Sequence, residues 1–217
     1  MPDVDWDGWR RDYDTMSFAE HQAFSRLVYD AYPVQKHYCD QALRHCLQLC
    51  HATTVWEVGG YDGAAAQAML AGNKDLRAWG NMELCPVVPV VCHDGRYHHV
   101  TLDCWPWEHE LASDLLVLSH VIEHMRLRQA RTLLAGFSGG WLYIDTPLPW
   151  VGAPSWEHST TTHILEVGWD GLLEMLDEEG WVLQATWGDA DGWRDGIGMQ
   201  AMLSKGRVSY FDRTHHL

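Results

Sequence analysis

A chain of 217 residues is long enough for one domain with a real core and too short for two ordinary ones. With 47% hydrophobic and 21% charged side chains it is globular, not disordered. Its formal charge of −15 excludes broad contact with a phosphate backbone, though not a short local basic path, and suits an uncharged or cationic small substrate.

The N-terminal stretch MPDVDWDGWRRDYD has no apolar core and is not a signal peptide. Residues 1–16 are expected to form a polar, flexible arm. Ser17-Phe18-Ala19-Glu20 is a capping box, so a helix is predicted from there to about Tyr32, where Pro33 breaks it. A second helix follows over about 34–50, with Leu43, Cys46, Leu47 and Cys50 at helical spacing. Cys46 and Cys50, beside His45 and His51, are conceivable metal ligands, but a cysteine-lined core stripe is the preferred reading because free Cys packs as a small hydrophobe. None of the six cysteines forms a CxxC pair, and no apolar run nears the ~20 residues that span a bilayer. A cytoplasmic protein with reduced thiols is expected. The thirteen tryptophans are read chiefly as core and surface residues, with an aromatic pocket as the alternative.

From residue 53 the chain alternates. Strands are predicted at 53–58, 77–83, 97–103, 114–119, 141–145, 181–186 and 198–204, and helices at 63–71, 126–135 and 170–179. Alternation of this kind means a doubly wound, mainly parallel α/β sheet covered on both faces. No helix separates the last two strands, so they are expected to pair antiparallel. Gly180 reads as a helix C-cap. Residues 146–168 form a long link rich in Pro, Trp, Ser and Thr, of the kind that carries function.

The chemistry concentrates where strands end. In doubly wound sheets ligands bind outside the carboxyl ends of the strands. The first strand ends in Glu57 and the turn Gly59-Gly60-Tyr61-Asp62-Gly63, followed by a helix whose first N–H groups are unpaired. Glu83 follows about 20 residues later, the spacing of a carboxylate that holds ribose hydroxyls. Asp103, with Cys104 beside it, ends the third strand and is placed to accept from an adenine amino group. Ser119 and His120 end the fourth, and Asp145 the fifth.

These stretches together, VWEVGGYDG, Glu83, VTLDC and DLLVLSHVIEHM, resemble the class I S-adenosylmethionine-dependent methyltransferases, with their Rossmann-like seven-stranded sheet. WLYIDTPLP and HILEVGWDGLLEMLDEEGW resemble the family's fifth strand and the helix before its sixth. Tyr61 stands where the family's turn carries its middle glycine, which makes the turn closer to the GANDG-like variant. The resemblance implies a helical cap at 17–50, a methyltransferase domain at 51–205 and a tail at 206–217. It also implies S-adenosyl-L-methionine as cofactor, held by Glu57, Gly59, Gly60, Tyr61, Asp62, Gly63, Glu83, Asp103, Cys104, Ser119 and His120.

The implied reaction moves a methyl group to an O or N nucleophile of a small molecule. A base near pKa 7 assists that reaction, and the candidates are His120, His158 and His163. His124 reads as structural. No resident metal is expected, although His120, Asp145, His158 and His163 would make a ligand set if they converged. The alternatives are a nucleic-acid or protein methyltransferase, a non-catalytic cofactor-binding relative, and a nicotinamide oxidoreductase. The first lacks a basic stripe and the Asn/Asp-Pro-Pro-Tyr signature.

Overall fold

The computed structural model describes residues 8, 11–31, 40–85, 94–146, 165, 167–187 and 199–206. Seven strands form one sheet: β1 (Thr54–Val58), β2 (Ala78–Glu83), β3 (Tyr97–Thr101), β4 (Leu115–Ser119), β5 (Trp141–Thr146), β6 (Trp181–Trp187) and β7 (Met199–Lys205). Their order is β3-β2-β1-β4-β5-β7-β6. Strands β1 to β5 pair parallel, while β7 runs antiparallel to both β5 and β6. The predicted doubly wound sheet and the antiparallel final pair are both present. Strand order reverses between β1 and β4, and that crevice is where such sheets bind ligands.

Helix α1 (Phe18–Ala31) starts at the predicted capping box: the Ser17 N–H donates to Glu20 Oε2 at 2.8 Å and the Glu20 N–H to Ser17 Oγ at 3.3 Å. Helices α2 (Asp40–Cys50) and α3 (Ala64–Gly72) lie on one face of the sheet, and α4 (Leu127–Ala135) and α5 (Trp169–Glu178) on the other. Alternation along β4 shows the division. Leu115 and Val117 pack with Leu43, Cys46, Met69 and Leu70, whereas Leu116 and Leu118 pack with Leu133, Leu172 and Leu176. All four β4 residues are fully buried, each contributing ~1.5–3 kcal/mol of apolar burial. Helix α2, expected in a cap, is thus a face helix, because its apolar stripe matches the sheet. Cys46 and Cys50 lie in that stripe, as the core reading anticipated. Gly180 takes φ +82° just past α5, the left-handed closure a glycine accepts.

Two ionic anchors fix the ends of this layer. The Asp114 carboxylate accepts from Thr53 N–H (2.8 Å), Thr53 Oγ1 (2.8 Å) and Thr54 N–H (2.9 Å), tying the start of β1 to β4. The Arg96 guanidinium donates to Leu70 O (2.8 Å), Asn73 O (3.1 Å) and Leu76 O (2.7 Å), taking up carbonyls left open past α3. Arg96 also pairs with Asp94 and pulls that carboxyl down to about 2.

Of the predicted N-terminal arm, residues 8 and 11–16 are described, and Tyr13 and Asp14 lie against the body. Tyr13 is buried, and its hydroxyl donates to His124 O at 3.0 Å. Asp14 pairs with Arg126 and Arg128. No helix among the described residues is long and apolar enough to cross a membrane.

Candidate functional site at the carboxyl edge of the sheet

The turn after β1 is tight and held from below. Gly59 takes φ +73° and Gly63 φ +77°, conformations a side chain resists. A Cβ on Gly59 would meet Val121 Cγ2 at 2.5 Å, and one on Gly63 would meet Tyr97 Oη at 2.0 Å. At Gly60 the constraint is space, since a Cβ would lie 2.6 Å from both Asn81 Oδ1 and the Glu57 carboxyl. Tyr61, also left-handed at φ +49°, remains partly exposed. Asp62 Oδ1 accepts the Ala64 N–H at 3.2 Å and leads the chain into α3.

Three polar side chains from adjacent strands lie beneath this turn. Glu57 is 1% exposed and accepts from Trp79 Nε1 at 2.9 Å. Burial, opposed by that hydrogen bond and reinforced by Glu83, pushes its carboxyl up to about 7. Asn81 accepts the Gly60 N–H at 3.0 Å and donates to Tyr61 O at 3.0 Å and Tyr97 Oη at 3.2 Å. Glu83, fully buried, accepts the Tyr61 N–H at 2.8 Å and the Cys85 N–H at 3.2 Å. Glu83, expected to hold ribose hydroxyls, thus braces the glycine turn from the end of β2.

At the end of β3, Asp103 is exposed and Cys104 half-buried. The following turn carries a short 3₁₀ segment at Pro106–Glu108. Gln22 of α1 donates to Leu84 O (2.8 Å) and Leu102 O (3.1 Å), so α1 approaches the carboxyl ends of β2 and β3.

The ends of β4 and β5 form an acidic cluster around His120, with His124 Nε2 also 3.9 Å from Glu123 Oε1. His120 adopts a left-handed backbone (φ +54°), and its N–H donates to Asp145 O at 2.7 Å. Its side chain is 40% exposed, and Nδ1 lies 3.5 Å from Glu123 Oε1. Burial pushes the imidazole down, but the Glu123 and Asp145 carboxylates outweigh it, and the net shift is upward. Glu123 is completely buried and accepts from Thr146 Oγ1 at 2.9 Å, while its backbone carbonyl accepts the Leu165 N–H at 3.1 Å. Asp145 Oδ2 accepts from Gln200 Nε2 at 3.3 Å and Ser119 Oγ at 3.4 Å. Asp145 Oδ1 is buried with no hydrogen-bond partner among the described residues. Burial lifts the Asp145 carboxyl, against the pull of His120.

The structure thus brings the glycine turn, Glu83, Asp103, Cys104, Ser119 and His120 to one edge of the sheet, each at or beyond a strand end. His158 and His163 lie outside the described residues. Asn81 and Gln200 are polar partners that sequence reasoning missed. Asn81 had a faint signal, as a polar residue two before the strand-ending Glu83.

No family model matches the sequence, and no curated protein matches it. The fold does match solved structures. The methyltransferase domain of bacterial CtHen1 superimposes with a TM-score of 0.58 at 10% identity, covering 77% of this chain and 97% of that one. A Burkholderia thailandensis 1,6-didemethyltoxoflavin-N1-methyltransferase, with its substrate and S-adenosylhomocysteine bound, gives 0.58 at 15% identity over 95% and 92%. The neocarzinostatin O-methyltransferase NcsB1, in complex with S-adenosylmethionine and a naphthoic acid, gives 0.53 at 17% identity over 84% of this chain and 61% of that one. Identities this low speak for the fold alone. The chain has the class I S-adenosylmethionine-dependent methyltransferase fold, as the sequence resemblance implied.

Proposed function

We propose that this protein is an S-adenosylmethionine-dependent methyltransferase acting on an O or N nucleophile of a small molecule. One observation carries the reading: the left-handed glycine turn and the His120–Glu123–Asp145 cluster flank the crevice where strand order reverses. The residues fit the cofactor. Gly59 and Gly63 supply the left-handed turn that a side chain resists, and Asp145 Oδ1, without a partner among the described residues, is a buried acceptor suited to a cationic group. Glu57, Gly59, Gly60, Tyr61, Asp62, Gly63, Glu83, Asp103, Cys104, Ser119 and His120 are the proposed cofactor-binding residues. When bound, S-adenosylmethionine supplies an electrophilic methyl group on a sulfonium.

The chain's own task is to hold the nucleophile in line and remove its proton. His120 is the proposed base; Glu123 holds its ring and stabilises the imidazolium that forms. The small-molecule reading is supported by the charge of −15.

Calorimetric titration with S-adenosylmethionine and S-adenosylhomocysteine, beside a Gly59→Arg variant of unchanged circular dichroism, tests the reading. Binding by the wild type and its loss in the variant are expected. A wild type that binds neither compound overturns it.

A further inference from the structure

The turn that follows β3 carries a second kind of chemistry. Asp103, Cys104 and His109 bring a carboxylate oxygen, a sulfur and an imidazole nitrogen within 4.8 Å of one another. Cys104 Sγ and His109 Nε2 are 3.3 Å apart. With Zn–S and Zn–N bonds of ~2.3 and ~2.0 Å, two ligands of one tetrahedral zinc stand about 3.5 Å apart. The observed pair is already at nearly that spacing.

The turn is also rigid. Leu102 N–H donates to Glu83 O at 2.8 Å, and Glu108 N–H to Trp105 O at 2.9 Å. The Trp105 ring stacks on Trp107 at 4.7 Å and meets Phe18 edge-on at 5.3 Å, and Pro106 is buried. Donors on a braced turn lose little freedom on binding a cation. The Asp103 and Glu108 carboxylates surround the thiol with negative charge. The other described free cysteines, Cys46, Cys50 and Cys85, are buried, so Cys104 is the described thiol a metal reaches.

We propose that Asp103, Cys104 and His109 bind a zinc-type divalent cation, with a fourth position open. Sulfur, imidazole and carboxylate together suit zinc better than magnesium or calcium, which take oxygen ligands. Binding releases the Cys104 proton to solvent. A consequence rests on the cofactor reading above: a cation on Asp103 takes up the carboxylate charge that an adenine amino group would meet, so zinc weakens cofactor binding.

Cobalt(II) titration of the full chain tests the site. A near-ultraviolet thiolate-to-cobalt charge-transfer band is expected, abolished by zinc and absent in Cys104→Ser, a near-isosteric change on a partly exposed turn. His109→Ala keeps a weakened band and lowers zinc affinity by more than about tenfold. No band in the wild type, or an equal band in Cys104→Ser, overturns the proposal. S-adenosylhomocysteine affinity, measured with zinc and with chelator, separates the two ideas. A loss of about ten- to hundredfold with zinc supports the competition. Unchanged affinity overturns the competition and leaves the metal site standing. No binding even with chelator counts against the cofactor reading instead.

Discussion

Asn81 holds Gly60 in place: its Oδ1 accepts the Gly60 N–H at 3.0 Å from beneath the turn, in a position with no solvent access. The same amide returns a hydrogen bond to Tyr61 O at 3.0 Å. One side chain thus satisfies a donor and an acceptor that the turn cannot pair within itself. Asn81→Ala takes this partner from the buried Gly60 N–H, at a cost of about 1–3 kcal/mol. Chemical denaturation should show that loss, with weaker S-adenosylhomocysteine binding in the folded variant. A variant as stable as the wild type removes Asn81 as the brace.

Much of this architecture was legible in the sequence because it is local. The capping box at Ser17, the closure at Gly180 and the strand-ending acids are read from neighbours a few residues apart. The glycine in the middle of β2 has a reason visible only in three dimensions. Gly80 pairs with Trp56 across β1 and β2, and a Cβ there would lie 2.3 Å from the indole. The glycine is the space into which the tryptophan ring fits. Asn81 was missed because its partners are backbone groups of a distant turn. Glu83 was placed correctly at a strand end, but its bonds to Tyr61 and Cys85 could not be read from spacing. The amphipathic stripe of α2 does not by itself state which surface it covers.

Glu57 makes stability depend on pH in an unusual direction. Its folded carboxyl sits at about 7, above the ordinary glutamate value, so the native state binds the proton more tightly than the unfolded chain. Its contribution is full below the unfolded value, near ~4.5, and falls as pH rises toward 7. Glu57→Gln keeps an acceptor for Trp79 Nε1 and carries no charge. The variant should therefore gain on the wild type as pH rises from 5 to 8, by up to roughly 3 kcal/mol. Urea denaturation of both proteins at the two pH values measures the difference. A constant gap between them refutes the assignment.

Arg96 should be worth more than a surface arginine, because it serves three carbonyls as well as Asp94. Arg96→Lys keeps the charge but loses the planar fork. A loss of about 1–3 kcal/mol is expected, with cofactor affinity changed little. Hydrogen exchange at the C-terminal end of α3 should speed up first. If exchange rises uniformly across the sheet instead, the clamp is not local.

The proposed base carries the sharpest pH signature. Two carboxylates raise the His120 imidazole above its ordinary value, so the neutral, proton-accepting form grows in only as pH climbs past that raised value. The acid limb of kcat/KM should therefore lie above the ordinary histidine value. Glu123→Gln removes the charge 3.5 Å from Nδ1 while keeping a partner for Thr146. Its imidazole then holds the proton less tightly, and the limb moves to lower pH. His120→Asn should lower kcat by about 10²–10⁴ and abolish the limb. NMR titration of His120 gives the same pKa without substrate. If the limb stays in place in Glu123→Gln while the NMR value moves, the base is another residue and His120 only shapes the pocket.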